Sequence, residues 1–208
     1  MLLALIVLLC AVVTGYVGGG RLDGLAELHL RRRLLVVIAF AAQLAGSVAG
    51  DLAWGIGVIV SAVAMGGFLL ANRGLRGMGL VALGLAANAL VISLNGAMPV
   101  SADASGRAGL STQSLLRGTD PRHELAGSAT RLHWLGDTIP VLVPVRPDVA
   151  SPGDLLVLAG LAELVAAGML RSRRRRLGAD VNEGEHHGQE RPQAPRAQEE
   201  QRQPRQAP

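Results

Sequence analysis

The sequence predicts an all-α integral membrane protein: about five transmembrane helices, one structured extracytoplasmic loop and a disordered C-terminal tail. Apolar residues occur in runs of about 17–20, the length that crosses a bilayer core. Aromatic residues make up 2% of the 208 residues, whereas there are 27 glycines, a composition typical of membrane helices that pack through small residues. All 20 basic residues are arginines, and many of them stand beside the apolar runs.

We predict a transmembrane domain over residues 1–170, with spans at about 2–17, 34–50, 52–71, 78–94 and 155–170. The first apolar run lacks a positively charged start and is long for a signal peptide, so we interpret it as a retained span. Cys10 is the only cysteine, so no intramolecular disulfide can stabilise the loop at residues 95–154. In the second span, Ala42, Gly46 and Gly50 have the spacing of a helix-packing face.

Arginine distribution predicts the orientation of the chain. Three connectors carry the clustered arginines, at residues 21–33, 73–76 and 171–176, and five spans place all three on one face. The positive-inside rule then puts the N-terminus outside, the C-terminus in the cytoplasm and residues 95–154 outside, in the cell membrane. The first connector, with leucines at every third position (Leu22, Leu25 and Leu28), is either a short interfacial helix or a plain polar connector.

The arginines also bear on partners. Their position beside apolar runs favours the lipid bilayer over nucleic acid, whose binders spread basic residues over a folded surface. A cluster after the last span could attract anionic lipid or act only as a stop-transfer signal; it comprises Arg171, Arg173, Arg174, Arg175 and Arg176. From Leu177 onward the tail has few aliphatic residues, which predicts disorder over residues 171–208.

The most distinctive motifs of the loop have the chemistry of helix caps. Ser151 is the predicted N-cap of the last span, with Pro152 in the first turn, then Gly153, and Asp154 completing a capping box. At the other end of the loop, Asn95 and Gly96 close the fourth span, and Pro99, which follows Met98, prevents its continuation. Inside the loop we predict a helix starting at 119–121 and ending near Gly127, a second helix within 111–117, a turn over 129–135, and an extended piece over 139–145 that contains Pro140.

His123 and His133 are the candidates for chemistry, with Glu124 and Asp137 close to them in sequence. The zinc-protease spacing is absent, and Ser128 lacks the glycines of a nucleophile elbow. We therefore predict no catalytic residue, no metal and no cofactor. An enzyme acting on a lipid-linked substrate through His123, His133 or Asp137 is kept as an alternative.

A second constellation lies within the predicted spans. Gln43, Ser61, Asn88 and Glu163 stand on four different spans and are predicted near mid-bilayer. An ionised acid there is costly, so Glu163 should be protonated or hydrogen-bonded, to Gln43 or Asn88. Such residues either fix helix register or support transport of a small solute.

Four motifs together resemble a family of small bacterial polytopic membrane proteins known as a domain of unknown function. They are G-G-R-L with L-A-E-L-H-L-R (19–31), N-G-A-M-P-V (95–100), T-R-L-H-W-L-G-D-T-I-P, which runs from Thr130 to Pro140, and S-P-G-D (151–154). The resemblance implies an integral membrane protein and assigns no activity. Glu163 lies outside these motifs.

Three functions remain open from the sequence. The first is a non-enzymatic envelope protein whose outer loop caps the helix bundle and binds a partner, either a second copy or another membrane protein. The second is a small transporter or permease-like subunit that uses the polar layer around Glu163. The third is the enzyme on lipid-linked substrate at the outer surface.

Overall fold

The computed structural model describes residues 2–48, 51–117, 122–143 and 147–189, without the side chains of 47, 51, 52, 114, 115 and 172–189. The chain divides into two compact units, Met1–Arg173 and Arg174–Pro208. It is mostly helical with little sheet. The first unit holds the helix bundle and the long loop, by which we mean residues 95–154.

Helices occupy all five of the predicted apolar segments. They are α1 (Leu2–Val17), α3 (Leu34–Val48), α4 (Asp51–Ala71), α5 (Met78–Asn95) and α8 (Pro152–Gln189). Within the described residues, three segments are long and apolar enough to cross a membrane: Ala53–Ala71, Met78–Asn95 and Pro152–Arg171. Helix α1 has 16 residues, about 24 Å at 1.5 Å per residue, against a bilayer core of about 30 Å. The structure therefore supports three membrane-crossing helices by length and composition, and a bundle of five spans is not confirmed.

Helix α8 runs antiparallel to α5, at close range. A methyl group on Gly84 would overlap the backbone of Gly153, and one on Gly77, whose φ is +82°, would overlap Gly160. Only glycine permits both this approach and the left-handed backbone at Gly77. The register therefore sets the middle of α5 level with the first turn of α8.

Helices α3 and α4 also pack closely. Gly57 of α4 lies against the backbone of Ala42 and Gly46, two of the small residues whose spacing predicted a packing face. Gly50, the third, lies outside the described residues. Small residues let the two helix backbones approach, and dispersion contacts then replace side-chain interdigitation.

One end of the bundle carries the arginine-rich connectors, and we call it the arginine end (residues 21–33, 72–77 and 168–171). The first connector forms one short helix, α2 (Asp23–Ala26). Its Gly24 packs on the backbone of Gly168, and the Arg21 amide donates to the Met169 carbonyl at 3.1 Å. The connector is thus tied to α8.

The long loop is folded at the opposite end. It contains β1 (Met98–Val100), α6 (Ala102–Arg107), α7 (Gln113–Leu116), β2 (His123–Leu125), a 3₁₀ turn (His133–Leu135), β3 (Ile139–Val141) and β4 (Asp148–Ala150). Strand β1 pairs with β2 in parallel, and β3 pairs with β4 in antiparallel. Contacts of β1 and the 3₁₀ turn with α5 attach the loop to the bundle.

These strands correct the all-α prediction. The expected helix ending near Gly127 is wrong at 123–125, where the chain forms a strand. The strand forms because its backbone bonds to β1 at both ends. The Met98 amide donates to the Arg122 carbonyl, and the Ala126 amide donates to the Val100 carbonyl, both at 2.9 Å. The start proposed for that helix, 119–121, lies outside the described residues. The extended segment is confirmed over Ile139–Val141, and α7 lies inside the predicted helix at 111–117.

Helix α8 continues well past the predicted end of the last span. It runs to Gln189, whereas the sequence predicted a span ending at Leu170 and disorder after it. Five of the first six residues of this stretch, 171–176, are arginines, which are strong helix formers. Disorder of the final residues stays a prediction, because residues 190–208 lie outside the described part.

Candidate functional site

A cluster of hydrogen-bonded polar residues, formed by Ser151, Asp154 and Asn88, lies at the first turn of α8. The Ser151 Oγ accepts a hydrogen bond from the Asp154 amide at 3.0 Å, and the Asp154 Oδ2 accepts one from the Ser151 amide at 3.1 Å. This reciprocal pair is the capping box predicted from the sequence, and it satisfies two backbone donors that have no partner inside the helix. Ser151 is fully buried.

Asn88 of α5 joins the cap to the bundle. Its Nδ2 donates to Asp154 Oδ1 at 2.8 Å, and its Oδ1 accepts from the Ser151 hydroxyl at 3.0 Å. The Ser151 hydroxyl therefore both donates and accepts while it is shielded from solvent. A hydroxyl in that position stabilises the helix start and is not available as a nucleophile.

Asp137 is a buried acidic residue of the loop. Its amide donates to the Pro99 carbonyl at 2.8 Å, and its own carbonyl accepts from the Ser101 amide at 2.9 Å. Strand β1 thus carries Asp137 on one edge and the β2 strand, which begins with His123, on the other. The fold brings together two loop residues that stand 14 positions apart in the sequence.

Asp137 and His123 form a loose pair. The His123 Nε2 lies 3.9 Å from the Asp137 Oδ2, with side chains 39% and 10% exposed respectively. Burial raises the pKa of the Asp137 carboxyl from 3.8 to about 7, and the charge of Asp154 adds to this, while His123 opposes it. Burial is the largest cause, because water no longer stabilises the ionised carboxylate. The Asp137 carboxyl can therefore hold and release a proton near neutral pH.

A second asparagine fixes the far side of the loop. The Asn95 Nδ2 donates to the carbonyls of Val91 (2.8 Å) and Arg131 (2.9 Å), and its Oδ1 accepts from the Arg131 amide at 2.8 Å. Gly96 follows in the left-handed conformation, with φ +89°, as the predicted helix end required. Thr130 Oγ1 accepts from the Gly127 amide at 2.9 Å.

The model of the family described as "Family of unknown function (DUF5317)" matches residues 27–166, more than half of the chain. The chain belongs to this family. That result fits the resemblance found from the motifs. No curated protein and no solved structure matches the chain. The DUF5317 match includes Asn88, His123, Asp137, Ser151 and Asp154, and it leaves out the G-G-R-L motif at 19–22.

Within this DUF5317 chain no hydrogen bond joins the four residues of the predicted polar layer, all of which lie in the described part. Asn88 bonds to Asp154 and Ser151, not to Glu163 as expected, because the α5–α8 register sets it level with the start of α8. Glu163 lies nine residues after Asp154, about 13 Å further along the helix. Within the described part, no side-chain hydrogen bond is made by Glu163, Gln43 or Ser61, and Glu163 is exposed.

The remaining predicted residues lie apart from the cluster. His133 is exposed in the 3₁₀ turn, and no group of three metal-binding side chains forms among the residues that the structure describes. Met98 and Pro99 are buried in β1, Pro140 lies in β3, and Pro152 and Gly153 open α8. Arg171 is exposed, whereas the side chains of Arg173, Arg174, Arg175 and Arg176 lie outside the described part.

Sequence reasoning missed Asn72, which is 3% exposed. Its Nδ2 donates to the carbonyls of Arg31 (2.9 Å) and Phe68 (2.8 Å), and its Oδ1 accepts from the Arg31 amide at 2.9 Å. A signal was present: Asn72 follows an apolar span directly, as Asn95 closes the next one. Its partner could not be inferred, because it lies 41 residues away.

Proposed function

We propose that the protein is a multi-pass envelope membrane protein that acts by binding a partner through its long loop, without catalysis. The observation that carries this proposal is the buried network of Asn88, Ser151 and Asp154, in which the polar groups are engaged in fixing the loop to the bundle. The remaining candidates for catalysis are His123 and Asp137, the pair that the enzyme alternative would use.

The loop also exposes large apolar side chains. Leu116, Trp134 and Leu142 are 68%, 59% and 71% exposed, and none of them belongs to a helix that could cross the membrane. Large exposed apolar side chains on a folded surface are typical of an interface. The occupant we favour is a membrane protein or a second copy of this chain.

The proposal includes a topology. The two shorter apolar helices, α1 and α3, cross the membrane together with the three longer ones, with local thinning of the bilayer. The arginine end is then cytoplasmic and the long loop extracytoplasmic. The test is a single cysteine at Ser128, an exposed turn position, in a Cys10→Ser background. An impermeant maleimide should label it on intact cells; labelling only after lysis contradicts this orientation.

Partner binding is tested with a triple variant, Leu116→Ser, Trp134→Ser and Leu142→Ser. We expect it to fold, since these side chains are exposed, and to migrate in mild detergent as a smaller species than the wild-type complex. The matched control is His123→Ala, which should leave the complex intact. If His123→Ala instead abolishes the function of the protein in cells while the complex persists, the enzyme alternative is favoured.

Glu163 supports the transporter as a second candidate. Its carboxyl is exposed on α8, inside a segment apolar enough to cross the membrane, and a carboxyl facing lipid is costly unless a neighbouring helix covers it. Glu163→Gln should then fold normally and lose pH-dependent solute flux in vesicles. Equal flux in the variant and the wild type would exclude this candidate.

A further inference from the structure

A cavity lies at the arginine end, apart from the loop residues discussed above. The inference drawn from it goes beyond the proposed function. It has a volume of about 660 Å³ and lies between the first connector and the end of α4. His29, Arg31 and Arg32 line it from the connector, and Arg73 lines it from the turn after α4. The rest of the lining comes from α4 and the turn that follows it: Gly67, Leu70, Ala71, Asn72, Gly74 and Leu75.

Asn72 holds the connector in place beside this cavity. Its side-chain amide forms three hydrogen bonds, two of them to the amide and carbonyl of Arg31. The next residue, Arg32, takes a left-handed backbone with φ +55°, a conformation that costs energy for any residue with a Cβ. Strained residues of this kind persist where the surrounding structure fixes them, and they cluster at ligand sites.

The charge in the cavity has one sign. Arg31, Arg32 and Arg73 all line it and no carboxylate does, and within the described ranges none of the three guanidinium groups forms an ion pair. The nearby Asp23 pairs with Arg21 instead, at 3.3 Å. Guanidinium groups bind phosphate oxygens through paired hydrogen bonds, so the cavity has the chemistry of a phosphate site.

The position of the cavity selects the source of the phosphate. Its α4 wall is the last turn of Ala53–Ala71, a segment long enough to cross the membrane, so the cavity lies at the depth of lipid headgroups. Leu70, in that wall, is 70% exposed. A ligand that fills the site therefore meets arginines at one side and apolar helix surface at the other, which suits a lipid better than a free ion.

We propose that this cavity binds the phosphodiester headgroup of an anionic phospholipid. Arg31, Arg32 and Arg73 bind the phosphate oxygens, and an acyl chain lies along α4 past Leu70. Basic pockets between membrane helices bind such headgroups in general. The site differs from the arginine cluster at residues 171–176, because its residues come from two connectors brought together by Asn72.

The test compares two double variants with the same change in net charge. Arg32→Gln with Arg73→Gln removes two cavity arginines. Arg33→Gln with Arg76→Gln removes their neighbours, which do not line the cavity. Full-length protein in nonionic detergent is titrated with short-chain phosphatidylglycerol, phosphatidylcholine or inorganic phosphate, and native mass spectrometry counts the bound molecules.

Wild type should bind phosphatidylglycerol about tenfold or more tightly than phosphatidylcholine, the effect expected of charge-assisted hydrogen bonds. The cavity variant should lose that preference, while the control should keep it within about twofold. Equal losses in both variants mean diffuse surface attraction and overturn the proposal. Phosphate that displaces the lipid at equal concentration means a soluble ligand, and it overturns the lipid assignment. Should the cavity variant fail to fold, the wild-type comparison of the two lipids still decides, and equal binding overturns the proposal.

Discussion

Helices α4 and α5 end in the same hydrogen-bonding arrangement, at opposite ends of the bundle and next to different side chains. Asn72 directly follows α4 at the arginine end, and Asn95 closes α5 at the loop end. Each asparagine donates to the carbonyl four residues before it, and each binds both the amide and the carbonyl of a distant arginine, Arg31 or Arg131. We call these two arrangements the asparagine clamps.

The two clamps are also alike in the backbone conformation of the residue that follows each clamped arginine. Arg32 and Leu132, which directly follow the clamped arginines, have φ +55° and +51° and are the two positive-φ residues other than glycine among those described. A side-chain amide offers one donor group and one acceptor, and it matches the two groups of a single backbone residue. The clamp thus fixes one residue firmly enough to hold the next in a left-handed conformation.

The two clamps differ in burial and in what they position. Asn72 is 3% exposed, whereas Asn95 is half-buried. The first holds the segment that brings Arg31 and Arg32 to the cavity. The second holds the segment that leads to Asp137, whose carboxyl titrates near neutral pH. Shared backbone geometry therefore does not fix function; the side chains carried by the clamped segment do.

Asn72→Ala should have the largest effect. It leaves the Arg31 amide, the Arg31 carbonyl and the Phe68 carbonyl without their side-chain partner in a buried place, at a cost of about 3 kcal/mol. The measurement is thermal or denaturant unfolding in detergent. Asn72→Asp is the matched control, since it keeps an acceptor for the Arg31 amide and loses the donors. A loss below about 1 kcal/mol for the alanine variant would contradict the buried clamp.

Asp137→Asn should change the pH dependence of stability, whereas a substitution at the arginine end should not. The unfolded chain releases the Asp137 proton near pH 4, and the folded chain releases it near pH 7. The free energy of unfolding of the wild type should therefore fall by about 2 kcal/mol as pH rises from about 4 to about 7, and then level off. The asparagine variant should lack this slope. A wild-type slope equal to that of the variant would show that the carboxyl is not buried. The Arg73→Gln variant, at the arginine end, should keep the wild-type slope.

Asn95→Ala should cost less than Asn72→Ala, about 1–2 kcal/mol, because water can replace part of the lost bonding at a half-buried site. Trp134 stands three residues after the clamped Arg131, so its fluorescence reports on the loosened turn. A destabilisation equal to that of Asn72→Ala would remove the distinction between the clamps.

Arg32→Gly should have the smallest effect and the opposite sign. Glycine adopts a left-handed backbone without strain, and the relief outweighs its extra entropy in the unfolded chain by about 0.5–1 kcal/mol. Binding of phosphatidylglycerol should fall in the same variant. Lower stability would mean that the Arg32 side chain, and not the clamp, stabilises the connector.

Local patterns in the sequence determined much of this protein. The apolar runs predicted all five long helices, since burial of apolar side chains in lipid depends only on a contiguous stretch. The cap chemistry at Ser151, Asp154 and Gly96 was also predictable, because a capping box and a left-handed helix end involve residues within three or four positions of one another.

The tertiary structure alone decided which distant residues meet. Asn88 was predicted beside Glu163 and lies beside Asp154, because the α5–α8 register depends on close glycine contacts that the sequence does not reveal. The strand at His123–Leu125 forms by pairing with β1, more than twenty residues earlier, and no local pattern encodes such a partner. Both clamps join residues 36 or 41 positions apart, and hydrogen bonds of that range are fixed only when the helices have packed.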